Sequence, residues 1–219
     1  MTTALLTGLT ILIIGDSHLA TPTFLTKTLH DDLIDQGASV HSIGVCGANP
    51  GDWLNASTAG KCGGSDRVGK GPATIMGQSA STTAIKQLIA TDKPNLVLVV
   101  IGDNIANYKQ SFARTWAWQQ VTSLTKEIAS TGTACAWVGP AWGTEGGKYG
   151  KTYARATQVS SFLATNVAPC TYINSLDMSK PGAWATLDGQ HFTNLGYKSW
   201  ADGITKSVTE LPFVKKNQK

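Results

Sequence analysis

At 219 residues, with 42% apolar and only 15% charged side chains, the chain is long enough to bury a core unaided and too apolar for a disordered protein. Its net charge of +4 is spread along the sequence, and the one local excess, Lys215-Lys216-Asn217-Gln218-Lys219, reads as a solvated flexible tail over 215–219; no nucleic-acid partner is expected. No apolar stretch approaches the ~20 residues needed to span a bilayer, so no membrane span is expected.

The N-terminal apolar run has no basic residues before it and leads straight into Gly15-Asp16-Ser17, so Leu9 to Ile14 is expected as a first strand rather than a signal-peptide core. Pro22 then opens a segment with Phe24, Leu25, Leu29, Leu33 and Ile34 near helical spacing, stopped by Gly37. Val40 to Val45 is a second strand. From Cys46 to Gly77 the composition shifts to Gly, Ser, Asn and Asp without periodicity, which predicts a long loop or several short ones.

Ala84 to Ile89 marks a helix ending before Pro94, and Asn95 to Ile101 is the clearest buried strand. A helix over Phe112 to Ser130, a strand from Thr133 to Val138, a Gly-rich loop through Trp142 and Tyr149, a helix over Tyr153 to Val167, a strand from Cys170 to Asn174 and a closing helix over Thr193 to Thr209 complete the chain. Strands alternating with helices and no separating linker predict one α/β domain over 1–219, built on a parallel sheet covered on both faces.

The cysteines Cys46, Cys62, Cys135 and Cys170 show no CxxC or Cys/His spacing, so neither a metal site nor a cofactor is expected. Cys46 and Cys62 flank a Gly-rich loop and could close a short disulfide, which would imply an oxidising compartment; the alternative keeps all four reduced, with Cys135 and Cys170 buried as small apolar groups.

Ligand sites of open α/β sheets lie beyond the carboxyl ends of the strands, and Ser17, Gly47, Asn104 and the Trp142 loop each follow a strand. A serine hydroxyl becomes a nucleophile only when a base takes its proton and a third group holds that base. Asp188-Gly189-Gln190-His191 supplies an imidazole and a carboxylate from one loop, so His191 is the candidate base and Asp188 its orienting partner. The Ser17 and Gly47 backbone N–H groups and the Asn104 amide are candidate oxyanion donors, with Gly44 competing for the role of Gly47.

Each residue also has a plainer explanation: Asp16-Ser17 as a cap for the helix near Pro22, and Gly47 and Asn104 as turn residues. His18, His30 and His41 are expected to be structural or exposed, although His18 beside Ser17 could line the pocket. No G-x-G-x-x-G follows the first strand and no G-x-x-x-x-G-K-[ST] occurs, which excludes dinucleotide and P-loop motifs.

The order of these blocks resembles the SGNH, or GDSL-like, hydrolase family. Gly15-Asp16-Ser17 matches its first block, with His18 where many members have Leu; Gly47 its second; Gly102-Asp103-Asn104 its third, with Ile105 where an Asp often follows; and Asp188-Gly189-Gln190-His191 its last. The resemblance implies a three-layer, flavodoxin-like α/β/α sandwich with a five-stranded, mainly parallel sheet, and a serine esterase or O-acyltransferase. Trp137 to Trp142 and the Gly-Asp-Ser-His start are similar to SGNH proteins associated with acetylation of bacterial exopolysaccharides such as cellulose and alginate.

Flat aromatic rings suit sugar, so Trp53, Trp142, Tyr149 and Trp184 join His18 as candidate substrate-binding residues, filling of the core being the alternative for each Trp. The expected partners are an acylated carbohydrate or other small ester and a polysaccharide-modification machinery. A non-catalytic polysaccharide-binding scaffold is the rival function. The expected location is periplasmic or secreted, with any signal outside this chain and the cytoplasm as the alternative.

Overall fold

A computed structural model describes residues 4–60 and 62–217. Its strands are β1 (Thr10–Gly15), β2 (Ser39–Val45), β3 (Gly64–Val68), β4 (Thr74–Met76), β5 (Leu96–Val100), β6 (Ala134–Val138) and β7 (Thr171–Ile173). They form one sheet in the order β4-β3-β2-β1-β5-β6-β7. The five expected strands, β2, β1, β5, β6 and β7, are mutually parallel. The sheet is nevertheless seven-stranded, because β3 and β4 form an antiparallel hairpin on the outer edge of β2, inside the segment expected as loop. Their sequences, GSDRV and TIM, are short and lack an apolar alternation, so backbone pairing and polar side-chain contacts hold them: buried Ser65 donates to the Leu19 carbonyl at 2.6 Å and Arg67 pairs with Asp31 at 2.7 Å.

The helices are α1 (Thr28–Asp35), α2 (Ile85–Asp92), α3 (Asp103–Ala106), α4 (Arg114–Ala129), α5 (Tyr153–Asn166), α6 (Asn194–Thr209) and α7 (Pro212–Asn217). Successive strand residues point to opposite faces. Ile11 and Ile13 of β1 and Leu96, Leu98 and Val100 of β5 therefore meet Leu29 and Leu33 of α1 and Trp200, Ile204 and Val208 of α6. Leu12, Ile14, Val97 and Val99 meet α2, α4 and α5 through Leu88, Val121, Leu124, Val159 and Leu163 on the other face. This is the expected three-layer sandwich, and its continuous apolar strands follow from burial on both faces.

Several boundaries differ from expectation. The helix expected from Pro22 begins at Thr28, residues 22–27 forming turns, so Asp16 and Ser17 cap nothing there. Lys215 to Asn217 of the expected tail belong to α7, and residues 218–219 lie outside the described residues. Cys46 is bonded to Cys62, and Cys135 is bonded to Cys170 rather than reduced, although Cys170 is buried. The second pair follows from topology: β6 and β7 are neighbours, which brings the two Cα atoms to 4.6 Å, inside bridging range. No helix among the described residues is long and apolar enough to cross a membrane.

Candidate active site

Parallel pairing puts the carboxyl ends of β1, β2, β5 and β6 on one edge, where a cleft of about 250 Å³ opens. It is lined by Ser17, Gly47, Asn104 and His191, together with Cys46, Cys62, Asp103, Asn107, Tyr108, Lys109, Tyr149 and Gln190. Ser17 follows β1 in a tight turn in which Asp16 Oδ1 accepts the His18 backbone N–H at 3.1 Å and Leu19 N–H donates to the Asp16 carbonyl. His191 Nε2 lies 2.7 Å from Ser17 Oγ, and His191 Nδ1 lies 2.8 Å from Asp188 Oδ2.

Since an ionised carboxylate can only accept, Nδ1 carries the proton toward Asp188 and Nε2 is left to accept from the serine hydroxyl. Burial pushes the Asp188 carboxyl up, but the His191 backbone N–H at 2.8 Å, its ring and the Gln190 N–H at 3.0 Å hold it below the ordinary carboxylate value. Asp188 is thus kept ionised and aimed at the ring.

The amide of Asn104 donates to the Ala48 carbonyl at 2.8 Å, which ties the β5 and β2 loops together and leaves its second hydrogen for the cleft. The Ser17 and Gly47 N–H groups make no hydrogen bond within the described residues. Gly47 adopts φ +83°, and a Cβ there would stand 2.8 Å from Gly60 N. Gly44 does not line the cleft; a Cβ on it would lie 2.2 Å from the Leu19 carbonyl carbon, so this glycine is required for packing between β2 and the turn after Ser17.

No protein-family model matches the chain. Protein BcsX of Komagataeibacter xylinus is 41% identical over 215 residues, covering 97% of this chain and 80% of its own length. The chain belongs to the BcsX family. Among solved structures, a DUF4886 family protein from Bacteroides uniformis superimposes with a TM-score of 0.66 at 14% identity, over 94% of this chain and 84% of its own. A lipase/acylhydrolase from Enterococcus faecalis gives 0.62 at 17% identity over 92% and 95%, and a peptidoglycan O-acetylesterase 0.62 at 15% identity over 96% and 92%. This BcsX-family chain has the fold of the SGNH hydrolases.

Of the five residues expected to bind substrate, only Tyr149 lines the cleft of this BcsX-family protein, with its ring edge-on to His191 at 5.5 Å. Trp53 is fully buried in the core under α2 and α4. Trp142 is half-buried, and its indole N–H donates to the Leu176 carbonyl at 2.9 Å. Trp184 packs edge-on against Phe192, and His18 is buried. Trp53 and Trp184 turn inward to pack on apolar neighbours, whereas Trp142 and His18 are held by hydrogen bonds through their ring nitrogens.

Buried beside the cleft is a polar cluster that sequence reasoning missed. Asp103 Oδ1 accepts from Lys151 Nζ at 2.8 Å and from the Tyr108 hydroxyl at 2.5 Å. Its Oδ2 accepts from His18 Nε2 at 2.9 Å, and His18 Nδ1 meets the Tyr197 hydroxyl at 2.9 Å. Burial would raise the Asp103 carboxyl, yet the Lys151 ammonium and the His18 hydrogen bond hold it far below the usual range, while burial lowers His18 to about 4. Asp16, also fully buried, is pushed by burial up to about 8. Asn107, Tyr108 and Lys109 had one available signal, their position shortly after Asn104; Lys151, one of two lysines with Lys148 in a Gly-rich loop, had none.

Proposed function

We propose that this BcsX-family protein is a serine-dependent acyl-ester hydrolase that acts on small acyl esters of carbohydrate, acetyl above all, through an acyl-enzyme on Ser17. The observation that carries this is the hydrogen-bonded series Ser17 Oγ, His191, Asp188 opening into a cleft that also holds Gly47 and Asn104. His191 Nε2 takes the hydroxyl proton as Ser17 Oγ attacks the ester carbonyl, and Asp188 stabilises the imidazolium that forms. The oxyanion accepts hydrogen bonds from the Ser17 and Gly47 N–H groups and the free Asn104 hydrogen. His191 then returns the proton to the departing alkoxide, and a second acceptor, activated by the same imidazole, resolves the ester.

The acceptor distinguishes two enzymes. With water the protein is an esterase; with a sugar hydroxyl it is a polysaccharide O-acetyltransferase, a reading favoured by the similarity of Trp137 to Trp142 and of Gly15-Asp16-Ser17-His18 to exopolysaccharide-acetylation proteins. Similarity to a peptidoglycan O-acetylesterase supports an acetylated sugar in either case. Under both readings an oxidising, periplasmic setting agrees with two disulfides.

The test supplies p-nitrophenyl acetate with and without cello-oligosaccharide and follows the acetyl group by mass spectrometry. Release as acetate supports the esterase, and acetylated oligosaccharide supports the transferase. A Ser17→Ala variant that stays folded is expected to lose turnover at least about a thousandfold and to resist serine-directed phosphonates. Wild-type rates in that variant would make the triad assignment wrong, and retained polysaccharide binding with no turnover in the wild type would make the protein a scaffold.

A further inference from the structure

Three buried polar residues outside the proposed reaction stand next in sequence or in space to its parts. His18 follows Ser17, Asp103 precedes Asn104, and Lys151 closes the loop that carries Tyr149. All three are buried and bonded to one another through the Asp103 carboxylate. An isolated ammonium or carboxylate is too costly to leave in a core, so each charge confines its partner to one place.

The loop attached to Lys151 grips the segment that holds the base. Thr144 N–H donates to the Gly189 carbonyl and Lys148 N–H to the Asp188 carbonyl, both at 2.9 Å. Gly146 and Lys151 exchange backbone hydrogen bonds at 2.8 and 3.0 Å, closing the loop on itself at the residue that carries the buried ammonium. Gly147 has φ +66°, and a Cβ there would lie 2.2 Å from the Asp188 carbonyl oxygen, so the approach of the two loops requires glycine. The His18 ring, held by Asp103 and Tyr197, lies 5.2 Å from that of His191.

We propose that the buried cluster of Lys151, Asp103 and His18 is the positioning device of this site: it locks the loop over 144–151 against Asp188 and holds nucleophile, oxyanion amide and base in register. Lys151 and His18 do not line the cleft, and Asp103, which borders it, has both carboxylate oxygens bonded to Lys151, Tyr108 and His18; Lys151 acts through the loop on Asp188 and His191, and Asp103 through its neighbour Asn104 and through His18. The inference rests on the esterase or transferase reading above for its kinetic consequence, but its geometric content is independent of it.

Lys151→Met keeps the length of the apolar stem and removes the ammonium. In the folded variant kcat is expected to fall about 100-fold with KM nearly unchanged, the cost of displacing reacting groups by about an ångström. The ring N–H proton that His191 shares with Asp188, observed by NMR in the full chain, is expected to lose its protection from solvent exchange. A folded Lys151→Met protein with wild-type kcat and an unaltered His191 signal overturns the proposal, as does a fall in thermal stability alone. Should that variant not fold, Gly147→Ala decides, because it disturbs the loop's grip on Asp188 without touching a buried charge: loss of kcat and of the His191 signal supports the device, and retention of both overturns it. If the wild type turns over no ester, the function fails first, and the His191 signal in Lys151→Met still tests the positioning.

Discussion

His191 Nε2 stands 2.7 Å from Ser17 Oγ although the two residues are 174 positions apart in the chain. In the proposed reaction the pairing works only in one tautomer, the one Asp188 enforces by accepting from Nδ1. Asp188→Asn keeps the shape of the side chain but can present an N–H to the ring, which stabilises the wrong tautomer. Steady-state kinetics with p-nitrophenyl acetate are expected to show kcat reduced by about 10⁴-fold.

Asn104 contributes one amide hydrogen to the Ala48 carbonyl, and in the proposed reaction the other meets the developing oxyanion charge. Asn104→Ala is expected to lower kcat by about 100- to 1000-fold with little change in KM, since the lost hydrogen bond strengthens only as the oxyanion forms. An equal loss in binding and in turnover would place Asn104 in ground-state recognition.

Tyr149 and Trp53 separate cleft from core. Tyr149→Ala is expected to raise KM several-fold for an acetylated oligosaccharide and much less for p-nitrophenyl acetate, because the ring borders the cleft beside His191. Trp53→Ala is expected to cost about 3–5 kcal/mol in urea unfolding, the usual penalty for emptying a fully buried aromatic site. Trp53→Phe is milder, as the indole N–H has no hydrogen-bond partner to lose.

The Cys46–Cys62 bond closes a loop of 16 residues' separation and both cysteines border the cleft next to Gly47. Replacing both by Ala is expected to destabilise the fold by about 3 kcal/mol through a freer unfolded chain, and to lower kcat because Gly47 loses its tether. Denaturant midpoints and turnover of the double variant and the wild type, both measured without reductant so that Cys135–Cys170 stays closed in each, check both effects.

His41 links β2 to α2 and β3, with Nδ1 2.6 Å from Asp92 Oδ2 and Nε2 3.0 Å from Asp66 Oδ1. Burial alone would lower its pKa, but the hydrogen bonds to Asp66 and Asp92 raise it above the ordinary value of 6.5. A raised histidine pKa means that the folded state holds the proton more tightly than the unfolded one. The stabilisation is therefore complete below pH 6.5 and is lost as pH climbs through the higher folded value. The stability gap between wild type and His41→Gln is expected to be widest at mildly acidic pH and to close in alkaline solution. Salt is expected to narrow it, Asp66 being 40% exposed.

What could be read without coordinates was whatever has a local period or a fixed order. Ile11 to Ile14 and Leu96 to Val100 are continuous apolar runs because both faces of a parallel strand are buried, and the closing helix expected over Thr193 to Thr209 is α6, with Thr193 as its cap. Ser17, Gly47, Asn104, Asp188 and His191 were legible because each follows a strand or sits in a short spaced motif, and parallel pairing carries such positions to one edge.

Only the tertiary structure decided where loop side chains point. Trp53, Trp142, Trp184 and His18 turn inward while Tyr149 faces the cleft, and loop sequence carries no period to distinguish these directions. The β3–β4 hairpin, the Cys135–Cys170 bond and the contact of Lys151 with Asp103 across 48 residues likewise depend on which segments the sheet order makes neighbours. The pattern of residues specified the layers and nominated the candidate reacting groups; through-space proximity, set by strand order and burial, specified what surrounds them.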